Sequence, residues 1–260
     1  MRKERENLVP AVGRALQLLQ LLAQSRKGLT ISEASRRLGI PKSSAHRLLK
    51  ALEQNGCVQK DGRVGRYRFG LMLVALSRAA LESLEMCEEA KPFLIALMQK
   101  TGLTVHMAVL EAGQAIIVEK IEAPGIIKIG TWIGRAMDLN STACGKALIA
   151  FLPPDELNRH MKAKSFVRHN QRTIVSVARL KQDLAAVREL GYAVDDEEDE
   201  IGVRCVGAPV FDSAGRVISA ISVVGTTNQI APDRVEAVGK IVRQFATVIS
   251  SQLSQRAGSM

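Results

Sequence analysis

Aromatic residues make up only 3% of this 260-residue chain, so its cores must be aliphatic, and a hydrophobic fraction of 47% is ample to build them. No apolar run approaches the roughly 20 residues needed to cross a bilayer. The opening M-R-K-E-R-E-N-L-V-P mixes charges of both signs and lacks an apolar stretch, which argues against a secretory signal. Cysteine is sparse: Cys57, Cys87, Cys144 and Cys205 lie far apart, with no C-x-x-C pair. That spacing argues against a zinc ribbon or a disulfide framework and predicts a cytoplasmic chain with reduced thiols. The four histidines occur in no recognisable catalytic motif. No cofactor, metal or membrane partner is expected. Internal repeats and low-complexity stretches are absent, and the length points to two domains.

What the chain has in excess is positive charge, and it is confined to one end. The formal net charge is +10, but residues 1–78 hold 16 Lys and Arg against 5 Asp and Glu, a net of +11. The remaining 20 basic and 21 acidic residues nearly cancel. A positive field concentrated on one small domain suits a polyanion, where neutralised phosphates release counterions and association is steered.

Within that basic third, Ile31, Ala34 and Leu38 recur at helical spacing and Gly39 stops the helix. Pro41 opens a second helix with Ala45, Leu48, Leu49 and Leu52 as its apolar stripe. Two short helices joined by a tight turn predict a helix-turn-helix, packed on an upstream helix over Val12–Leu22. The outer face of the second helix presents Lys42, Ser43, Ser44, His46, Arg47 and Lys50, within reach of phosphates and base edges in a major groove. A strand over Cys57–Lys60, a turn at Asp61-Gly62 and a return strand over Gly65–Phe69 predict a wing. Its Arg63, Arg66 and Arg68 are expected on the phosphate backbone, with Arg14 of the upstream helix joining the DNA-facing set. The alternative is a pair of ordinary helices and a hairpin with merely solvated basic faces.

A continuous helical pattern from Leu71 to Glu89 predicts a connecting helix whose stripe, Leu76, Ala80, Leu84 and Cys87, is available to a second subunit. Pro92 marks the start of another helix, ending at Thr101-Gly102. Beyond it the texture alternates. Thr104–Leu110 and Ala115–Ile121 predict a hairpin across Ala112-Gly113, and Ile126–Ile133 a third strand. Helices are expected over Thr142–Leu152, Asp155–Lys162 and Arg179–Leu190. A second hairpin joins Val203–Phe211 to Val217–Val224. A long helix over Pro232–Ser251 buries Val235, Val238, Ile241, Val242, Phe245, Val248 and Ile249. This order predicts an α+β domain on an antiparallel sheet.

Two segments of that domain carry potential chemistry. In L-N-S-T-A-C-G-K-A-L (139–148), small and hydroxylated residues lead into a helix, leaving amide groups for an anion such as a ligand carboxylate. Ordinary capping by Ser141 or Thr142 explains the same residues. Gly145-Lys146 resembles a P-loop only superficially, because the upstream glycine is missing. The second segment carries six consecutive acidic residues, 195–200, with no histidine nearby to complete a transition-metal site. A solvated loop with at most one inward carboxylate is expected. Cys205, on an apolar strand, reads as an inert buried thiol.

Taken together, G-R-A-L-Q-L-L, P-K-S-S-A-H-R-L-L-K-A-L, Y-R-F-G, S-T-A-C-G-K-A-L-I-A-F-L and G-Y-A-V-D-D-E-E-D-E-I-G-V-R-C-V-G-A-P-V resemble the IclR family of bacterial transcriptional regulators, in order and across essentially the full length. The resemblance implies a winged helix-turn-helix over 1–70, a linker helix over 71–90 and a GAF/PAS-like effector-binding domain over 91–256. It also implies a homodimer or dimer of dimers on a palindromic operator, controlled by a small organic acid or aromatic catabolite. The family's pocket positions fall on Ala143, Cys144, Asp195, Val203, Cys205 and Ser222. Some members that bind very small keto acids carry a second serine two residues beyond the first, where this chain has Val224. Glyoxylate and pyruvate are therefore not carried over. Met107, Ile129 and Trp132 are further candidates for the cavity wall. Two other classes are weighed: an enzyme with Cys144 or Cys205 as nucleophile and His106 as base, and an architectural protein using only the basic domain.

Overall fold

The computed structural model describes residues 9–257 apart from positions 26, 83, 127, 164 and 165, in two compact units divided between 83 and 84. In the first unit, α1 (Pro10–Ala23), α2 (Ile31–Leu38) and α3 (Lys42–Gln54) precede a hairpin of β1 (Val58–Lys60) and β2 (Tyr67–Phe69), followed by α4 (Met72–Glu82). Leu18, Leu22, Leu29, Ala34, Ala45, Leu49, Val58 and Tyr67 form its core. Of the expected stripe on α3, Ala45 and Leu49 are buried, while Leu48 and Leu52 pack at the margin. Gly39 ends α2 at φ 65°, a conformation that costs glycine little.

The hairpin departs from expectation. The return strand starts at Tyr67 and not at Gly65, and the Asp61 N–H closes the loop on the Arg66 carbonyl at 2.7 Å. Tyr67 sets this register. Its side chain is buried and its backbone exchanges bonds of 2.8 and 3.0 Å with Leu29, so the return strand starts where the core requires it.

The connecting helix is also not continuous. It is interrupted at Leu84, whose backbone (φ −94°, ψ 72°) is not helical, and α5 runs over Glu85–Thr101 with Pro92 in its interior rather than at its start. Proline there forfeits the bond to the carbonyl four residues back. Burial of Cys87, Ala90, Leu94 and Leu97 along one face holds the helix together across it. The predicted stripe is thereby divided, with Leu76 exposed on α4 and Cys87 buried on α5.

The second unit continues with β3 (Thr104–Glu111), β4 (Gln114–Ile121), β5 (Ala136–Met137), α6 (Ala143–Ala150), α7 (Pro154–Ala163), α8 (Val177–Leu190), β6 (Ala193–Asp196), β7 (Val203–Phe211), β8 (Val217–Thr226), a 3-10 turn at Pro232–Arg234 and α9 (Val235–Ala257). The strands form one antiparallel sheet in the order β5-β4-β3-β8-β7-β6. Both expected hairpins are present. The first turns through Ala112 (φ 49°) and Gly113 (φ 79°), the doubly positive pair that matches strand twist. Helices α5 and α9 pack on the sheet, and α6, backed by α8, packs on it through β7 and β8.

No strand forms over Ile126–Ile133 among the described residues. The free edge of β4 is taken further along the chain, where Gly134 N–H bonds the Ile117 carbonyl (2.7 Å) and Ile117 N–H the Arg135 carbonyl (3.0 Å). Ile126 is fully exposed and Trp132 largely so, which removes Trp132 from the cavity wall; Met107 is core. On α9, Val248 faces outward and Ala246 takes the buried position, following Val238 and Val242 at intervals of four. Among the described residues no helix is long and apolar enough to cross a membrane.

Candidate functional site

The first unit offers a basic face. Lys42, Ser43, His46, Arg47 and Lys50 are exposed on α3, Ser44 is half-buried, and Arg14 is exposed on α1. Lys50 reaches Glu53 at 3.0 Å, a pair open to solvent and of little energetic weight. In the hairpin, Arg63 is exposed and Arg68 lies 3.9 Å from Asp61.

Arg66 behaves differently, because it already has partners within the unit. Its guanidinium donates to both carboxylate oxygens of Glu33 (3.1 Å each) and to the Gly28 carbonyl (2.8 Å). Glu33 is simultaneously half of a capping box: Thr30 Oγ1 accepts from the Glu33 N–H, and Glu33 Oε2 accepts from the Thr30 N–H at 2.8 Å. These bonds from Thr30, with Arg66 adding to them, hold the Glu33 carboxyl down at about 2. Arg66 is thus a brace between the hairpin and α2. The T-x-x-E pattern at 30–33 signals the box; nothing local to Arg66 signals its partner 33 residues away.

In the second unit, a cavity of about 130 Å³ opens at the N-terminus of α6. All six positions named from the family resemblance, Ala143, Cys144, Asp195, Val203, Cys205 and Ser222, lie in its wall. Ile129 and Val224 join them, as do His106, Thr131, Arg135, Asp199 and Glu200, which the sequence did not place there as cavity groups. His106 comes from β3, Thr131 and Arg135 from the segment 128–135, and Asp199 and Glu200 from the connection between β6 and β7.

Local structure explains the polar end of this cavity. Thr142 caps α6: its hydroxyl accepts from the Gly145 N–H (3.1 Å) and donates to the Asp138 carbonyl (2.7 Å). A Cβ on Gly145 would lie 2.5 Å from that carbonyl, so only glycine permits this cap. The cap satisfies the third amide of the helix and leaves those of Ala143 and Cys144 at the cavity wall. The Cys144 thiol donates to Ser222 Oγ at 3.1 Å, which frees the serine O–H to donate. Arg135 approaches Asp199 at 3.6 Å.

Two acidic side chains point inward, not one. Asp195 Oδ1 accepts from the Glu198 N–H (2.8 Å) and the Asp199 N–H (3.4 Å), and burial pushes its carboxyl up to about 7. Glu198 turns the other way, to the buried Lys146, at 2.7 Å, with Asp183 on the same ammonium at 2.9 Å. Burial alone would lower the Lys146 pKa, but the two carboxylates outweigh it and keep the ammonium charged. Lys146 is therefore a core ion-pair lysine and not a phosphate ligand.

The two cavity thiols are held in their neutral form. Burial pushes Cys144 up to about 12, and burial with the neighbouring Asp195 raises Cys205 well above the usual thiol range. His106 bonds Thr131 at 2.7 Å, and burial drives it down to about 4, so it is neutral near pH 7. Among the described residues no group of three His, Cys, Asp or Glu is placed to hold a metal.

Comparison with known proteins agrees with this geometry. Residues 11–62 match the IclR helix-turn-helix domain, and residues 78–251 the bacterial transcriptional regulator IclR C-terminal domain. The HTH-type transcriptional regulator XynR of Escherichia coli K12 is 36% identical over 86% of this chain and 88% of its own length. The transcriptional repressor IclR of the same organism is 32% identical, covering 93% and 89%. An IclR homologue from Microbacterium hydrocarbonoxydans, solved with 4-hydroxybenzoate, shares the fold at a TM-score of 0.79 and 23% identity, covering 95% of this chain and 99% of that one. A basic helix-turn-helix unit, an antiparallel-sheet unit with a cavity at the start of α6, and family matches to both in order place the chain in the IclR family, as a DNA-binding regulator of transcription and not an enzyme.

Proposed function

We propose that this regulator recognises a palindromic operator as a homodimer or dimer of dimers, and that a small carboxylate in the cavity of its second unit controls operator affinity. The observation that carries the effector reading is the polar end of the cavity. Ser222, Arg135 and the start of α6 at Ala143 and Cys144 all lie in its wall, with Arg135 held 3.6 Å from Asp199. The volume of about 130 Å³ is below the 300 Å³ or more typical of drug-sized ligands, so a small organic acid is favoured. The Microbacterium homologue with its bound hydroxybenzoate supports an acid as the chemical class.

On the DNA side, Ser43, Ser44 and Arg47 are assigned to base edges or adjacent phosphates. Arg14, Lys42, His46, Lys50, Arg63 and Arg68 are assigned mainly to phosphates. Effector binding shifts operator affinity only by its unequal affinity for the two conformations.

A thermal-shift screen against small hydroxy, sugar and aromatic acids tests the effector reading. An acid at 100 times its Kd stabilises the protein by about 2.7 kcal/mol, a rise of several degrees. The same acid should change operator retention in competition with random DNA. No stabilisation by any acid in the panel would overturn the reading.

A further inference from the structure

Beside the cavity lies a second concavity of about 140 Å³, whose wall includes Thr104, Ala123 and Gln229. Ile129 and Val224 belong to the walls of both. Strand register accounts for the shared wall. Val224 on β8 pairs with Thr104 on β3 and with Cys205 on β7, so the three side chains form one row on one face of the sheet. Thr104 lines the outer concavity and Cys205 the inner cavity; Val224, almost fully buried between them, lines both. Ile129 meets the same boundary from the loop.

We propose that the outer concavity is a latent chamber for a ligand's tail, and that Val224 and Ile129 form the partition that limits the length of acid the regulator accepts. This rests on the carboxylate reading above and adds a specificity determinant to it. The inner cavity holds the groups suited to a carboxylate; the outer one is lined by Ala123, Ile129 and Val224, with two polar groups at its edge. Thr104 Oγ1 accepts from the Ala123 N–H at 3.2 Å, which leaves its O–H to donate. The Gln229 side-chain carbonyl is occupied by the Thr226 N–H at 2.9 Å. The tail such a chamber takes is linear and aliphatic, with room for one hydroxyl beside Thr104. Removing the two methyls of Val224 joins the chambers without touching the amides, Ser222 or Arg135.

The experiment measures binding of straight-chain monocarboxylates, from acetate to octanoate, by calorimetry on the full chain and on its Val224→Ala, Ile129→Ala and Val224→Ile variants. Each methylene newly buried should tighten binding roughly fourfold. The expected result is a preferred chain length at least two carbons longer in Val224→Ala and Ile129→Ala, with hexanoate bound about tenfold tighter than by the parent. Val224→Ile should shift the preference toward shorter acids, a change in direction that a loosened fold would not produce. The same preferred length in parent and variants, or no binding of the series by any of them, overturns the partition. Failure of the carboxylate reading is seen separately, as a parent protein that no acid of the wider panel stabilises.

Discussion

Asp195 is the residue whose environment speaks most directly about pH. Its carboxyl is held at about 7 in the folded protein, against about 3.9 in an unfolded chain. Between those values the folded state keeps a proton that the unfolded state releases. Its contribution to stability is therefore present in full below about pH 4 and lost as pH rises to about 7. Asp195→Asn keeps the shape and removes the titration, so stability should fall less steeply across that window. Urea unfolding at pH 5 and pH 7.5 checks this, and equal slopes in both proteins would refute it. The neighbouring Lys146 makes a different prediction. Lys146→Met leaves Glu198 buried without its cation and should cost about 3 kcal/mol in urea unfolding, part of it recovered by adding Glu198→Gln. A loss below 1 kcal/mol would show that the ion pair is not maintained in solution. Neither role was legible in a run of six acidic residues. A strand followed by a turn aims Asp195 at the amides of Glu198 and Asp199 and turns Glu198 toward Lys146, a partner far away in sequence.

Among the elements, α2 shows how a local signal and a distant one combine. Thr30 and Glu33 cap the helix from within four residues of sequence, while Arg66 arrives from the hairpin and fastens the two elements together. Thr30→Ala should destabilise the first unit by about 1 kcal/mol. Arg66→Ala should lower the melting temperature of this unit as well, with operator and random DNA weakened alike through the displaced hairpin. Preserved stability with a reduced salt slope would instead return Arg66 to the phosphate backbone. Helices and hairpins with strong period were readable here because their apolar positions are set by nearest neighbours: Ala45 and Leu49 on α3, Ala112-Gly113 between β3 and β4. The misread elements were decided by tertiary contacts. Pro92 sits inside α5 because the buried face outweighs one lost bond. Among the described residues of 126–133 no strand forms because the edge of β4 is taken by residues 134–137, and Thr131 and, just beyond, Arg135 reach the cavity from this stretch. The capping residues and the glycine at the start of α6 were legible, since backbone geometry fixes them; the pocket positions there are what the family resemblance implies. The rest of the wall was not legible.

At the scale of the molecule, the segregation of charge makes a prediction that also counts subunits. A net of +11 within residues 1–78 of a chain whose remainder is almost neutral means that affinity for DNA should fall steeply with salt. Each phosphate contact contributes close to one unit to the slope of log K against log salt. Arg63→Ala and Arg68→Ala, exposed on the hairpin, should reduce that slope while leaving the ratio of operator to random-DNA affinity unchanged. Arg47→Ala, on the outward face of α3, should lower that ratio, by about 1–3 kcal/mol for each base step it reads. In a two-fold assembly every substitution enters the complex twice. A single replacement at Arg63 should then change the slope by about 2, whereas a lone protomer gives about 1. Titrating one operator fragment across a range of salt concentrations with the parent and the Arg63→Ala variant separates the two. A change near 1, with half-sites bound independently, would overturn the two-fold reading while leaving the assignment of Arg63 to the backbone intact.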